Sequence, residues 1–257
     1  RSPRSQKLFI TYAKDWVLVL VMTMVFFSID VIPPFRREFS MTDSTLMHPY
    51  KTHEIIPVSV LLVICIVCPA IMIITIALGV RRSLHDCHNA LLGRLFLALS
   101  MTIMTTVVIK VTVGRPRPDM LDRCQPPKDI PNPPLGLQNY TICTTDVNSY
   151  KMKDGFKSFP SGHSSFSFAG LGFLSYYLAG KMHLFDELGH TYKSFVFALP
   201  LLGALMIAIS RVCDYRHHWQ DVFVGGLLGA SFAYFAYRQY YPSLSSNYCH
   251  EPYALRI

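Results

Sequence analysis

The sequence predicts an all-α, polytopic membrane protein: one domain over residues 1–257, crossing the bilayer with six transmembrane helices. Three observations carry that expectation. The chain is 51% hydrophobic, with a mean hydropathy of +0.30. Only 16% of its residues are charged, against about 25% in ordinary soluble domains. Its apolar residues also gather into long stretches, some reaching the roughly 20 residues that a spanning helix needs.

The first span is expected at residues 16–32, from the run WVLVLVMTMVFFSI through Val31 and Ile32. The second, 55–80, reads IIPVSVLLVICIVCPAIMIITIALGV and carries no charge. The third, 90–113, is broken only by Arg94 near its start and Lys110 near its end. Three weaker candidates follow at 163–180, 194–210 and 219–237, richer in Gly, Ser and aromatic residues. That composition suits helices packed against other helices, because small residues let backbones approach. Gly225 and Gly229 form a GxxxG on the last of them, more often a contact within a bundle than between subunits. Oligomeric state is not legible.

The net charge of +8 does not point to nucleic acid. The basic residues are spread over loops between apolar spans, without a basic stripe or aromatic interleaving. Membrane topology accounts for them. Residues 1–14 hold Arg1, Arg4, Lys7 and Lys14 with no acid, and the link near 80–94 holds Arg81, Arg82 and Arg94 against Asp86. The positive-inside rule then places both termini in the cytosol and the long loop 114–160 outside. The first span is expected to act as the insertion signal, and the absent initial Met to reflect a trimmed N-terminus.

The outer loop contains QPPKDIPNPPLG at 125–136, too rich in Pro for helix or central strand. It also holds the sequon Asn139-Tyr140-Thr141, a candidate N-glycosylation site that agrees with a lumenal or extracellular location. Cys124 and Cys143 share this loop and could pair in an oxidising compartment, though spacing alone does not decide it. Cys65 and Cys68, inside the second span, read as small buried hydrophobes.

Three polar segments interrupt the apolar pattern. The first is KVTVGRPRPD at 110–119, with Lys110, Arg115 and Arg117. Ionisable residues at membrane depth suggest function, yet a lone lysine near a helix end is better explained by snorkelling to the interface. The second is FPSGHSS at 159–165. Ser161 can cap a helix, and the N–H groups of Gly162 and His163 would make an anion site at its N-terminus. Simple capping with a surface histidine explains the stretch equally well. The third, SRVCDYRHHWQD at 210–221, supplies Arg211, His217, His218 and Asp221. His217 and Asp221 are spaced to share a helix face, as a carboxylate orienting a nucleophile or base would require. A polar turn with an interfacial Trp219 is the plainer alternative.

Topology binds the three together. Counting spans, all emerge on one side, so Lys110, Arg117 and Arg211 gather beside two histidines and a carboxylate. A zinc site from His163, His217 and Asp221 is the rival arrangement, but three permanent cations would repel a divalent ion and attract a phosphate. No metal and no other cofactor is expected.

These residues carry a resemblance. The sequence is similar to the type 2 phosphatidic acid phosphatase, or lipid phosphate phosphatase, superfamily. Its signature K-x6-R-P, P-S-G-H and S-R-x5-H-x3-D reads here as Lys110 through Arg117-Pro118, Pro160 through His163, and Ser210-Arg211 through His217 to Asp221. The stretches RPRPDMLDRCQP and FPSGHSSFSFAGLGFLSYYLAGK look most like fungal diacylglycerol pyrophosphate phosphatases. The resemblance implies the helical core shared with haloperoxidases. It also implies magnesium-independent hydrolysis of phosphatidate, diacylglycerol pyrophosphate and lysophosphatidate. In that scheme Lys110, Arg117, Ser161, Gly162 and Arg211 hold the phosphate, and His217 attacks it to form a phosphohistidine. Asp221 orients His217, while His163 protonates the leaving oxygen and then activates water. A fungal vacuolar membrane is implied, with Golgi, endoplasmic reticulum and plasma membrane as alternatives. A lipid-binding protein without turnover and a vanadate-dependent peroxidase are the competing readings.

Overall fold

The structure, a computed structural model, describes residues 3–127, 130, 133, 134 and 136–254. Among them the chain is helical throughout, and one isolated bridge pairs Phe39 with Gln138. Helix α1 runs Pro3–Asp30 and α2 Val58–Val80, the latter with π-helical stretches at Val63–Val67 and Thr75–Val80. Helix α3 (Leu84–Ala90) passes through a π-helical stretch, Leu91–Phe96, into α4 (Leu97–Val113). Two short helices follow in the loop, α5 (Met120–Cys124) and α6 (Tyr150–Gly155). Three long ones complete the bundle: α7 (Gly162–Met182), α8 (Thr191–Cys213) and α9 (Trp219–Tyr240).

Local chemistry sets several of these boundaries. The Ser83 hydroxyl accepts from Asp86 N at the start of α3, and the Ser161 hydroxyl accepts from Ser164 N at the start of α7. Helix α9 opens with a capping box between His218 and Asp221. Helix α4 stops at Gly114, whose left-handed φ of 58° suits glycine and whose Cβ position would fall 1.9 Å from the Phe35 carbonyl oxygen.

Six helical stretches therefore stand where six spans were expected, but length and apolarity mark only three as membrane-crossing. These are Tyr12–Asp30 within α1, α2, and α8. Helix α4 is apolar but shorter, at 17 residues. Helices α7 and α9 are long but diluted by Gly and Ser. The reason is where they sit: α7 is buried along nearly its whole length and packs most extensively on α8 and α9. Helices α1, α2 and α8 present the outer apolar surface, with Leu20, Met24, Phe27, Ile71, Leu199 and Leu202 all exposed. An apolar belt this extensive fits lipid better than water.

The GxxxG pair packs inside the chain. A Cβ at Gly225 would approach Ser161 O to 2.6 Å, and one at Gly229 would approach Ser165 O to 2.1 Å. The small residues thus bring α9 onto the backbone of α7. Nearby, Thr106 on α4 hydrogen-bonds Ser165 on α7 at 2.9 Å.

At one end of the bundle, segment 31–57 and the described residues of 114–161 form a cap with its own apolar core of Phe39, Leu46, Met120, Cys124, Met152 and Phe156. Cys124 and Cys143 are joined there as a disulfide. Asn139 is exposed in the same cap, its Oδ1 accepting from Thr141 N at 2.9 Å.

Candidate active site

A cavity of about 650 Å³ lies beneath the cap, where α4 ends, α7 begins and the α8–α9 link turns. Lys110, Arg117, Gly162, His163, Arg211 and His217 line it. The structure thus brings together residues from all three polar segments. Apolar side chains complete the lining: Phe26, Leu61, Leu62, Ile103, Val107 and Phe166.

Each cation is held from behind. Lys110, in the last turn of α4, donates from Nζ to the Lys157 carbonyl at 2.7 Å. Arg117 is fixed in the loop by Asp154: its Nη2 meets Asp154 Oδ1 at 2.7 Å and its Nε meets Asp154 O at 2.9 Å. Burial pushes the Asp154 carboxyl up, but Arg117 and Arg123 outweigh it and hold the group below the usual carboxylate range. Arg211, in the last turn of α8, is almost fully buried. Its Nη2 donates to Asp214 Oδ2 at 3.0 Å and its Nη1 to Glu54 Oε2 at 2.9 Å. Gly162, at the N-terminus of α7, belongs to a helix end whose first N–H groups have no intrahelical acceptor.

His217 is the one buried histidine in the cavity wall. Its Nδ1 stands 2.7 Å from the Ser158 carbonyl oxygen. A carbonyl can only accept, so Nδ1 carries the hydrogen and Nε2 of the neutral ring holds a lone pair. Burial first, then the charges of Arg117 and Lys110, push the imidazole well below the ordinary histidine pKa. The ring is therefore neutral at pH 7, as a nitrogen nucleophile must be. His163 uses Nε2 to reach the Ile56 carbonyl at 3.1 Å, with Glu54 Oε2 at 4.0 Å.

Two residues sit differently from what the resemblance implies. Asp221 Oδ2 is 3.9 Å from His217 Nδ1, too far for a hydrogen bond. The carboxylate instead accepts from Ser158 Oγ at 2.5 Å, Arg115 Nη1 at 2.6 Å and His218 N at 3.1 Å. It thus reaches His217 through Ser158, whose carbonyl holds the imidazole. Ser161 is fully buried, occupied in capping α7, and its N donates to the Asp221 carbonyl at 2.9 Å. It does not line the cavity.

Sequence reading missed Asp154, Ser158, Glu54 and Arg216, and gave Arg115 no partner. Ser158 lies beside the quoted FPSGHSS stretch and Arg216 lies within SRVCDYRHHWQD, so both stood next to a signal. Asp154 and Glu54 have none, since only folding brings them to the arginines. Among the described residues, no group of three or more His, Cys, Asp or Glu side chains is placed to hold a metal ion.

Comparison with known proteins adds independent evidence. The profile of the PAP2 superfamily matches residues 91–244. Over 242 residues the chain is 39% identical to the probable diacylglycerol pyrophosphate phosphatase 1 of Schizosaccharomyces pombe, covering 94% of this chain and 85% of that protein. It is 41% identical over 234 residues to diacylglycerol pyrophosphate phosphatase 1 of Saccharomyces cerevisiae, covering 90% and 80%. It is 43% identical over 237 residues to lipid phosphate phosphatase 2 of Arabidopsis thaliana, covering 89% and 77%. No solved structure matches the chain.

Proposed function

The chain belongs to the PAP2 superfamily and is a phosphatase, and from this we propose that it removes phosphate from membrane lipids, without magnesium, through a phosphohistidine on His217. The substrate class is phosphatidate, diacylglycerol pyrophosphate and lysophosphatidate, in phospholipid metabolism and lipid signalling. One observation carries the reading: a neutral, buried histidine and three cations share a cavity with a group of apolar side chains. The cations suit the phosphate, and the apolar side chains suit the acyl chains.

Lys110, Arg117 and Arg211, with the N-terminal N–H groups of α7, hold the non-bridging phosphate oxygens and stabilise the charge that builds on them. The lone pair of His217 Nε2 attacks phosphorus while the bond to the lipid oxygen breaks. His163 gives its proton to that oxygen, releasing the dephosphorylated lipid. His163 then takes a proton from water, whose oxygen attacks phosphorus and breaks the P–N bond. Inorganic phosphate leaves and His217 is neutral again. Throughout, Nδ1–H stays on the Ser158 carbonyl, which keeps the ring in its attacking orientation. Asp221 supports that geometry from behind Ser158.

In the same reading the six long helical stretches all cross the membrane, the termini are cytosolic, and the cavity opens on the lumenal or extracellular side. Asn139, on the capped end, is then available for glycosylation. The vacuolar membrane is the favoured compartment, with Golgi, endoplasmic reticulum and plasma membrane as alternatives.

The test uses full-length protein in mixed micelles with phosphatidate, diacylglycerol pyrophosphate or lysophosphatidate, in excess EDTA. Phosphate release is expected, and His217→Ala should lower it roughly a thousandfold or more, as nucleophile removal does elsewhere. Full dependence on added magnesium, or activity surviving the substitution, refutes the proposal.

A further inference from the structure

Besides the three cations already discussed, the cavity lining holds Arg216 and Glu54, together with Lys157, Asp30 and Asp154. Arg216 is buried, yet its Nε has no hydrogen-bond partner among the described residues. Its Nη2 lies 3.3 Å from Glu54 Oε1, while Arg211 Nη1 lies 2.9 Å from Glu54 Oε2. One carboxylate therefore bridges two guanidiniums with one oxygen on each, much as a phosphate would.

We propose that Arg216 is a further phosphate-binding residue, and that Glu54 is an internal anion holding Arg211 and Arg216 until the substrate phosphate displaces it. This rests on the reading of the cavity as a phosphate site.

Three features support the displacement. First, Glu54 is the accessible member of the cluster: its side chain is 26% exposed, against 1% for Arg211 and 6% for Arg216. An incoming anion therefore meets the carboxylate in front of the arginines. Second, the arginines keep other counter-charges when Glu54 leaves. Arg211 remains on Asp214 at 3.0 Å, and Arg216 Nη1 has Asp154 at 3.9 Å and Asp119 at 4.0 Å. Losing Glu54 does not leave an unpaired buried charge, the outcome that makes breaking such clusters costly. Third, the surrounding backbone is pinned. Arg216 Nη2 donates to Lys51 O at 2.8 Å, Ile55 N donates to Asp214 Oδ2 at 2.9 Å, and Ile56 O accepts from His163. Only the Glu54 side chain needs to turn, which is a change of rotamer and not a loop opening.

The displacement has a measurable cost. While Glu54 is seated, only the fraction of molecules with it turned away can bind phosphate, and apparent affinity falls by that fraction. Glu54→Gln keeps the size and removes the charge. In detergent-solubilised full-length protein it should bind orthophosphate roughly three- to tenfold more tightly by calorimetry, with a matching fall in KM. Arg216→Gln should weaken phosphate binding, and adding Glu54→Gln to it should recover less than the single change gains.

Unchanged or weaker phosphate binding in Glu54→Gln overturns the proposal, as does normal binding in Arg216→Gln. If both variants fail to fold, the wild-type protein still decides. Carbodiimide labelling of Glu54, read by mass spectrometry, should rise at least about threefold when tungstate fills the site as a tetrahedral oxyanion, and unchanged labelling overturns the idea. A wild-type protein that neither binds phosphate nor hydrolyses lipid phosphates refutes the phosphatase site itself, a result distinct from the other outcomes.

Discussion

Gly229→Ala tests how the fold holds the site. A Cβ at position 229 would lie 2.1 Å from Ser165 O and 2.9 Å from Ala169 N. Both are backbone atoms of α7, so no side chain can rotate out of the way. Ordinary contact begins at 3.4 Å, and the difference between 3.4 and 2.1 requires α9 to retreat by about 1.3 Å. That helix carries Asp221 in its first turn, and His217 lies just before it, while α7 carries His163. The retreat therefore separates the proposed nucleophile from the proposed acid. A misplacement of about 1 Å costs roughly 100-fold in rate, and overpacking costs about 1–3 kcal/mol in stability.

The assay is initial-rate phosphate release from a short-chain phosphatidate, with thermal melting in detergent alongside. Gly226→Ala is the control, because its Cβ would meet only side-chain atoms, the Phe168 ring at 3.2 Å and Ser164 Oγ at 3.3 Å. Those can give way, so this variant should stay within about threefold of wild type. A Gly229→Ala protein with wild-type kcat refutes the claim that helix spacing sets the site geometry.

Three further outcomes are expected. Asp221→Asn should lower kcat by about 10- to 1000-fold, short of the roughly 10⁴-fold that follows when a histidine loses its tautomer, because the Ser158 carbonyl still holds Nδ1–H; a rate loss of 10⁴ or more points to direct contact with His217. Between pH 7 and 5 the depressed pKa of His217 means the unfolded chain binds the extra proton, so stability falls with pH by at most about 1.4 kcal/mol per unit; denaturation of His217→Asn should show a shallower slope, and an unchanged slope removes His217 as its source. Cys143→Ser opens the loop from Cys124, with a sequence separation of 19, and should destabilise the cap by about 3 kcal/mol; non-reducing peptide mapping together with melting checks both the bond and its effect.

Legibility in the sequence followed the physical range of each interaction. The strongest apolar windows gave α1, α2 and the stretch that ends in α4, whereas α8 read as a weaker candidate although its length and apolarity mark it as membrane-crossing. Helices α7 and α9 were weaker signals too, being lined with Gly and Ser to touch each other. Lys110, Arg117, Arg211, His163 and His217 were legible because charge is conspicuous in an apolar chain, and counting spans put them on one side. Their supports were not. Asp154 lies 37 residues from the Arg117 it holds, and Glu54 lies 157 residues from Arg211. Ser158 acts on His217 through its backbone carbonyl, which every residue possesses, so no side-chain pattern could have marked it.

Those supports explain how so much charge survives beneath the cap. Arg115 is paired with Asp221, Arg117 with Asp154, and Arg211 with Asp214; Asp214 and Asp221 stand outside the cavity lining, while Asp154 is part of it. Lys110 differs: among the described residues its hydrogen-bond acceptor is the Lys157 carbonyl, not a carboxylate. Isolated buried cations would be prohibitive, and loosely paired ones would reorient during the reaction. Fixed pairs avoid both problems: the desolvation is met on folding, and in the proposed site the cations are held in place before any phosphate charge develops. On the proposal made above, a phosphate dianion would complete a set of ion pairs that Glu54 fills only in part. In the proposed mechanism, electrostatic catalysis and structural stability draw on the same carboxylates, so Asp154 and Asp214 should be as intolerant of substitution as the arginines they hold.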